Sequence, residues 1–257
     1  MEDQIGNFKK DNLHVKIFKD RKGAGKASAL DTADMINNLL SMKSEIRMVF
    51  AAAPSQDEFL DELIKIEWIE WKRITAFHMD EYIGLDENAE QLFSKYLVNR
   101  IFNKVDFKKV HIIRPGFNPE QEVKRYETLF KEKPVDIICM GIGENGHIAF
   151  NDPPVADFND TQLVKIVELD DACRKQQVND GCFSSFKGVP QRAVTLTVPA
   201  LMSGNYLSIV VPGIRKSEAV YDTLYGEIST KCPASILRKH DNAVMYLDKD
   251  SSLKTFI

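Results

Sequence analysis

The sequence predicts an α/β fold in which helices cover both faces of a mainly parallel sheet. Short apolar runs, typical of buried strands, alternate along the 257 residues with longer segments of helical periodicity. Such alternation is typical of βαβ units, whose strands are parallel. No internal repeat or low-complexity linker divides the chain, so residues 1–257 are expected to form one Rossmann-like domain. The polar stretch at about 152–190 is expected to be a lid-like insertion over the strand ends.

The first half of the chain contains four predicted strands, at 14–18, 46–53, 74–79 and 110–113. Apolar residues recur at helical spacing between them, which predicts helices over 25–42, around Phe59 to Ile64, and over 91–102. A helix over 119–131 is predicted to begin with Asn118 as its cap and Pro119 in its first turn.

The second half is predicted to begin with a buried strand at 135–141, an apolar run interrupted only by Asp136. Further strands are predicted at 163–169, 193–198, 207–211 and 243–247. Residues 170–186 are interpreted as a helix plus a loop. An amphipathic helix is expected after Gly213, because Ala219, Val220 and Leu224 fall on one face.

Composition and charge limit the classes of partner. A net charge of −4 is not the basic balance of a nucleic-acid-binding protein, and no apolar run is long enough to span a membrane. The four cysteines show neither zinc-site spacing nor a disulfide framework. The polar N-terminus does not resemble a signal region, so a cytoplasmic protein is expected. We expect a small-molecule ligand, no metal and no cofactor, while the sequence leaves a homo-oligomer open.

Polar residues follow four of the predicted strands. They are Ser55, Asp80 with Glu81, the turn from Gly141 to Asp152, and Lys216. The carboxyl ends of parallel strands share one edge of a sheet, and ligands bind there. The sequence therefore predicts that these four places converge on one ligand.

The turn after residue 140 contains Gly141, Gly143 and Gly146, followed by His147 and Asp152. Glycines such as Gly143 allow a ligand to approach the backbone closely. The spacing matches a dinucleotide-binding pattern, but two prolines at 153 and 154 prevent the long helix which that pattern requires. His147 suits a proton shuttle supported by Asp152, although a structural histidine is also compatible with the sequence.

The other candidates also have two interpretations. Asp80 is either a helix cap or, paired with Glu81, a base whose pKa is shifted towards neutrality. Lys216 lies in the first turn of a helix, where a cation opposes the helix dipole unless it shares a bound anion. Ser55 is either a cap or a phosphate ligand at a similar strand-to-helix turn. Together these residues favour acid–base chemistry on a small phosphorylated molecule.

Two segments carry a resemblance to a known family. Residues 77–85, FHMDEYIGL, and residues 141–153, GIGENGHIAFNDP, together resemble the glucosamine-6-phosphate deaminase (isomerase) family. That family is similar in fold to 6-phosphogluconolactonases, which carry a related glycine turn, and the MDEY stretch here favours the deaminase side. The resemblance implies conversion of an amino-sugar phosphate and water to a ketose phosphate and ammonia, without a cofactor.

The resemblance also implies roles for particular residues. Asp80 matches the proton-shuttling base, His147 the residue that opens the sugar ring, and Asp152 the acid that supports this histidine. Lys216 matches a phosphate-binding lysine. Asn145 stands where many members have an aspartate, so it can orient its neighbours but cannot ionise.

Two departures from the family pattern affect phosphate binding. The first phosphate loop reads AAAPSQ, with Ser55 as the nearest equivalent of its usual hydroxyl ligands. No arginine matches the phosphate ligand of the lid, for which Gln177 or Arg174 could substitute. No basic cluster of the kind that binds an allosteric activator is evident. A related lactonase-type hydrolase and a non-catalytic sugar-phosphate sensor remain as alternatives.

Overall fold

An eight-stranded sheet forms the centre of the structure, a computed structural model that describes residues 3–114, 116 and 118–255. Its strands lie in the order β1-β2-β11-β10-β7-β3-β4-β6. They are β1 (Gln4–Lys10), β2 (Leu13–Phe18), β3 (Ile46–Phe50), β4 (Ile74–His78), β6 (Lys109–His111), β7 (Ile137–Met140), β10 (Tyr206–Val211) and β11 (Ala243–Asp248). Every pair from β2 to β6 is parallel, as predicted.

The edge strand β1 was not predicted. It pairs with β2 in an antiparallel hairpin, and its residues alternate between exposed and half-buried positions. Polar residues dominate the segment, with Ile5 and Phe8 as its large apolar side chains. A half-exposed edge strand therefore gives a weaker hydrophobic signal than the buried strands beside it.

In the described part of the chain, seven α-helices connect the strands. They are α1 (Arg21–Met42), α2 (Asp57–Leu63), α3 (Phe93–Leu97), α4 (Pro119–Lys131), α5 (Asp171–Asn179), α6 (Val198–Met202) and α7 (Ser217–Tyr225). The predicted cap of α4 is confirmed, because the Asn118 side chain accepts a hydrogen bond from the backbone N–H of Gln121. Helix α1 begins four residues earlier than predicted, where Asp20 accepts from the backbone N–H of Gly23.

The helices cover both faces of the main sheet, as predicted. Alternate residues of β7 point to opposite sides, so Ile137 and Cys139 enter one apolar cluster and Ile138 and Met140 the other. Helices α1, α2 and α3 pack in the first cluster, and α4, α6 and α7 in the second. Among the described residues, no helix is both long enough and apolar enough to cross a bilayer.

A second, three-stranded antiparallel sheet corrects part of the predicted topology. It consists of β5 (Asp80–Ile83), β9 (Arg192–Leu196) and β8 (Val164–Glu168), in the order β5-β9-β8. Asp80 therefore begins a new strand directly after β4. The predicted strands 163–169 and 193–198 exist, but they belong to this smaller sheet. Alternating β-branched residues predict a strand without specifying which sheet it joins.

The segment 152–190 is correspondingly more than a lid. It contains β8, which is part of the second sheet, and α5, which lies beside the carboxyl ends of the main-sheet strands. Within this segment Gln176, Gln177 and Asp180 line the cavity described below. Only the region of α5 therefore covers the site.

Candidate active site

A cavity of about 470 Å³ lies at the carboxyl edge of the main sheet. The loops after β2, β3, β4, β7, β10 and β11 all contribute to its wall. Six predicted site residues line it: Ser55, Asp80, Gly143, His147, Gln177 and Lys216. The structure thus brings together residues from all four strand ends that were predicted to converge, and Gln177 joins them from α5.

The glycine turn after β7 places His147 at the cavity wall. The backbone N–H of Gly143 donates to the carbonyl of His147 (2.8 Å), and that of Gly146 donates to the carbonyl of Gly143 (3.1 Å). Gly146 has a φ of +79°, a conformation that L side chains rarely adopt. Ala149, two residues after the histidine, also has a positive φ of 47°. The chain therefore folds back tightly and carries the imidazole over its own turn.

Two side chains hold the imidazole from behind. Nδ1 of His147 lies 2.7 Å from Oδ1 of Asn145 and 2.9 Å from Oδ1 of Asp152. Both atoms are acceptors, because the amide nitrogen of Asn145 itself donates to Asp152 (2.9 Å). Nδ1 therefore carries the proton, and Nε2 is left as the nitrogen available to a substrate. Asn145 and Asp152 do not line the cavity, so they position His147.

Asp152 is fully buried, and its contacts determine its charge state. Burial by itself would raise the pKa of this carboxyl. The neighbouring His147, Asn145 and the thiol of Cys173 outweigh that effect and hold the pKa of Asp152 below its usual value. An ionised carboxylate is the form that accepts the Nδ1 proton and fixes the tautomer of the imidazole.

Asp80 has the opposite electrostatic environment. It lies in the cavity wall with 6% of its surface exposed. Burial, with a further contribution from the neighbouring Glu81, raises the pKa of Asp80 well above its usual value. A carboxyl group with a raised pKa can both accept and return a proton at moderate pH. The surroundings of the two carboxyls therefore raise the pKa of Asp80 and lower the pKa of Asp152.

Glu81 does not reach the cavity, which corrects its prediction as a substrate-binding residue. Adjacent side chains of a strand point to opposite faces, so Glu81 points away from the side on which Asp80 lies. Its Oε1 accepts from the backbone N–H groups of Tyr82 and Phe93 (3.0 Å each), and its Oε2 from that of Ser94 (2.8 Å). Glu81 therefore anchors the start of α3 to β5.

The cavity wall contains two groups suited to an anion, Lys216 and Ser55. Lys216 is 7% exposed, and burial lowers its pKa. No side-chain acceptor among the described residues forms a hydrogen bond or ion pair with its ammonium group. Ser55 lies in the same wall and accepts from Nε2 of Gln56 (3.2 Å), which leaves its hydroxyl hydrogen free to donate. A phosphate would supply acceptors for both groups.

The region of α5 is attached to the cavity wall by two contacts. The side-chain oxygen of Gln176 accepts from the backbone N–H of Glu144 in the glycine turn (2.8 Å). Arg215 donates to Asp180 (2.5 Å) and lies 3.4 Å from a carboxylate oxygen of Glu144. Gln177 reaches the cavity wall between these contacts. The helix is therefore linked both to the turn that carries the imidazole and to the loop that carries Lys216.

Two further polar residues, Arg174 and His78, have structural contacts instead. Arg174, the alternative to Gln177, donates to the backbone carbonyls of Phe186 and Val189 and lies over the Phe186 ring, so it is turned away from the cavity. His78 is fully buried and accepts from the backbone N–H of Ile113, and burial lowers its pKa to about 3. His78 is therefore a neutral core histidine.

Sequence reasoning missed several residues of the cavity wall. Gln176, Asp180 and Arg215 belong to the contacts of α5, and Arg21 lies at the start of α1. Arg21 donates to Pro54 and is paired with Glu58, which ties α1 to the loop after β3. The sequence predicted α1 to begin at residue 25. If the helix had been predicted to begin at Arg21, this arginine would have been expected at the carboxyl edge of the sheet. No sequence pattern signals the others.

The fold and the site define an α/β enzyme that gathers acid–base groups and a buried lysine at the carboxyl edge of a parallel sheet. A family model described as glucosamine-6-phosphate isomerases/6-phosphogluconolactonase matches residues 19–246. The chain belongs to this family, which confirms the resemblance seen in the sequence.

Individual relatives agree with this assignment. A glucosamine-6-phosphate deaminase of Exiguobacterium sibiricum is 31% identical over 191 residues, which cover 72% of this chain and 74% of the relative. The solved structure of a monomeric glucosamine-6-phosphate deaminase has a TM-score of 0.85 at 28% identity, covering 93% of this chain and 98% of that one. A 6-phosphogluconolactonase from Thermotoga maritima has a TM-score of 0.76 at 20% identity, covering 92% and 100%, and shares the fold.

Proposed function

We propose that this protein converts glucosamine-6-phosphate, or a closely related hexosamine phosphate, and water to the ketose phosphate and ammonia. The observation that carries the proposal is the presence of Asp80 and His147 in one cavity with Lys216. The reaction needs a proton carrier for the ring oxygen, a second one for carbon, and a cation for the phosphate. No cofactor is required by this scheme.

Ring opening is assigned to His147. Its Nε2 takes the proton of the hydroxyl on carbon 1 and delivers a proton to the ring oxygen as the bond between carbon 1 and that oxygen breaks. The product is the open-chain aldehyde. The contacts of Nδ1 with Asn145 and Asp152 favour the tautomer with a free Nε2 and stabilise the positive charge while the ring holds the extra proton.

Isomerisation is assigned to Asp80. Its carboxylate removes the proton from carbon 2 of the open-chain sugar, which gives an enolamine, and then returns a proton to carbon 1, which gives an imine at carbon 2. Water adds to the imine carbon, and the nitrogen leaves as ammonia. The raised pKa of Asp80 supports this role, because the same group must accept and then release the proton.

The lactonase alternative is less well supported by the site. Hydrolysis of a lactone moves no proton between neighbouring carbons, so a buried carboxyl with a raised pKa in the same cavity as the imidazole would have no assigned role. The two groups of relatives also differ in their sequence identity to this chain. Those named deaminases are 28% to 33% identical to this chain, whereas the lactonase of Thermotoga maritima, at 20%, shares the fold alone.

The test is an assay of the purified protein against glucosamine-6-phosphate, galactosamine-6-phosphate and 6-phosphogluconolactone. We expect ammonia and ketose phosphate to appear in equal amounts from a hexosamine phosphate. Hydrolysis of the lactone without ammonia release would identify the lactonase alternative. Binding of a hexosamine phosphate without turnover would identify a sensor.

The Asp80→Asn variant tests the assigned base. Asparagine keeps the shape of the side chain but cannot take the proton from carbon 2, so turnover should fall by about 10²–10⁴-fold while binding of the sugar phosphate persists. The matched control is Asp157→Asn, an exposed carboxyl on the chain after the glycine turn. Undiminished ammonia release by Asp80→Asn would contradict the assignment.

A further inference from the structure

Behind the cavity wall, three potential metal ligands of different chemistry lie together. One ligand atom each from His147, Asp152 and Cys173 lies within 4.8 Å of the other two, and all three residues are buried. His147 and Asp152 come from the glycine turn, whereas Cys173 lies on α5. The proposed reaction assigns no role to the thiol.

The contacts of Asp152 leave one of its oxygens without a strong donor. Its Oδ1 accepts from Asn145 and lies beside Nδ1 of His147. Its Oδ2 is buried and has no nitrogen or oxygen donor among the described residues. The thiol of Cys173 lies beside this carboxylate, and a thiol is a weak donor. A buried carboxylate oxygen is thus available to a cation.

We propose that His147, Asp152 and Cys173 form a binding site for a thiophilic divalent cation of the Zn²⁺ type. Zinc binds imidazole nitrogen and carboxylate oxygen at about 2.0–2.2 Å and thiolate sulfur at about 2.3 Å. Ligand atoms around such an ion are roughly 3.4–3.6 Å apart, so side chains within the observed 4.8 Å need only small rotations. Mg²⁺ and Ca²⁺ prefer oxygen ligands and do not suit this set.

Binding of the ion changes the protonation of its ligands. Zinc binds a thiolate and an unprotonated imidazole nitrogen, so the thiol proton of Cys173 leaves for the solvent, and the Nδ1 proton of His147 is exchanged through solvent for one on Nε2 when the ion binds. Because the thiol must lose its proton, binding strengthens as pH rises. The ion would also join α5 to the glycine turn.

Zinc bound here should inhibit the enzyme, a consequence that rests on the proposed function. The ion would engage the imidazole and the carboxylate that ring opening requires. The bound ion would therefore block the reaction of the sugar phosphate and would take no part in catalysis.

The experiment measures metal binding directly, without reference to activity. Zn²⁺ is titrated calorimetrically into reduced, chelator-treated protein, and Cd²⁺ is added in parallel to follow the ultraviolet charge-transfer band of a cadmium–thiolate bond. We expect one ion per chain, a cadmium–thiolate band, and a heat that varies with the ionisation enthalpy of the buffer. Absence of the band, or of binding by micromolar Zn²⁺, would overturn the proposal.

Substitution of two cysteines in the segment 152–190 tests where the ion binds. Cys173→Ser should weaken binding at least about tenfold and abolish the band. Cys182→Ser, which removes a thiol of the same segment that lies outside the cluster, should leave both unchanged. Equal binding by Cys173→Ser and the unsubstituted chain, or equal losses in the two variants, would refute the site. The band in the unsubstituted chain still tests for a thiolate ligand if Cys173→Ser does not fold.

An activity measurement then distinguishes a failure of the proposed metal site from a failure of the proposed function. Zn²⁺ should inhibit the unsubstituted enzyme at the concentrations that saturate the calorimetric site, and Cys173→Ser should resist inhibition relative to its own metal-free rate. Failure of hexosamine phosphate turnover would refute the proposed function while the binding result stands. Loss of inhibition in Cys182→Ser alone would refute inhibition through the cluster.

Discussion

The imidazole of His147 lies directly over the α-carbon of Gly143. A β-carbon at position 143 would be 2.2 Å from Cε1 of the ring and 2.3 Å from Nδ1, closer than real side chains approach. Position 143 is thus restricted to glycine by the ring and not by its own backbone torsion, since its φ is not in the left-handed region. The glycine of the turn makes room for the proposed acid–base group.

Gly143→Ala should reduce turnover of the hexosamine phosphate by about 10²-fold or more, because the added methyl displaces the imidazole by the order of 1 Å. The measurement is steady-state ammonia release, with thermal unfolding followed in parallel. Gly188→Ala is the matched control, since a β-carbon there would meet its nearest neighbour at 3.7 Å, an ordinary contact. Full activity of Gly143→Ala would show that the imidazole position is not critical.

Asp80→Asn should increase thermal stability at neutral pH even as it removes activity. Burial raises the folded-state pKa of Asp80 above 3.8, so the folded chain retains a proton that the unfolded chain releases. Stability therefore falls as pH rises through the folded pKa, and asparagine removes this loss. The gain should shrink towards zero as pH falls to about 3.8.

The measurement is the unfolding midpoint of both proteins from pH 4 to pH 8, where each kcal/mol corresponds to roughly 2–4 °C for a chain of this size. A gain that is the same at every pH would show that the carboxyl does not titrate with a raised pKa in the folded state. A lower stability of Asp80→Asn at neutral pH would contradict the raised pKa of Asp80 more directly.

Glu81→Gln should destabilise the fold and affect chemistry only secondarily. The amide nitrogen of glutamine cannot accept, so at least one of the buried backbone N–H groups of Tyr82, Phe93 or Ser94 loses its acceptor. The cost is about 1–3 kcal/mol. Chemical denaturation measures it, with the exposed Glu87→Gln as control. Unchanged stability with a large loss of turnover would support the original prediction that Glu81 contacts the substrate.

Lys216→Met should weaken binding of the sugar phosphate by about 10–100-fold and leave binding of unphosphorylated glucosamine nearly unchanged. Methionine preserves most of the buried length of the side chain but removes the ammonium group. The measurement is calorimetric binding of both sugars, with the exposed Lys187→Met as control. Equal losses for the two sugars would place Lys216 outside the phosphate site.

Apart from the half-exposed edge strand β1, the main sheet was predictable because its central strands are buried on both faces. Residues 135–141 and 207–211 form nearly continuous apolar runs, which a sequence displays without reference to the rest of the chain. The shared edge then follows from parallel topology, and with it the convergence of Ser55, His147 and Lys216. The second sheet was not predictable in this way, because its strand β5 pairs with β9, a segment more than 100 residues later in the chain.

The sequence alone determined the class of fold, the family, and the edge of the sheet at which the residues proposed for acid–base chemistry and anion binding meet. Periodicity, glycine spacing and two local motifs carry that information, since each depends on residues close together in the chain. The tertiary structure decided which of two adjacent carboxyls, Asp80 or Glu81, faces the cavity, and it brought Cys173 beside Asp152. These outcomes depend on strand pairing and on burial by distant segments, and therefore on contacts that only the folded chain makes.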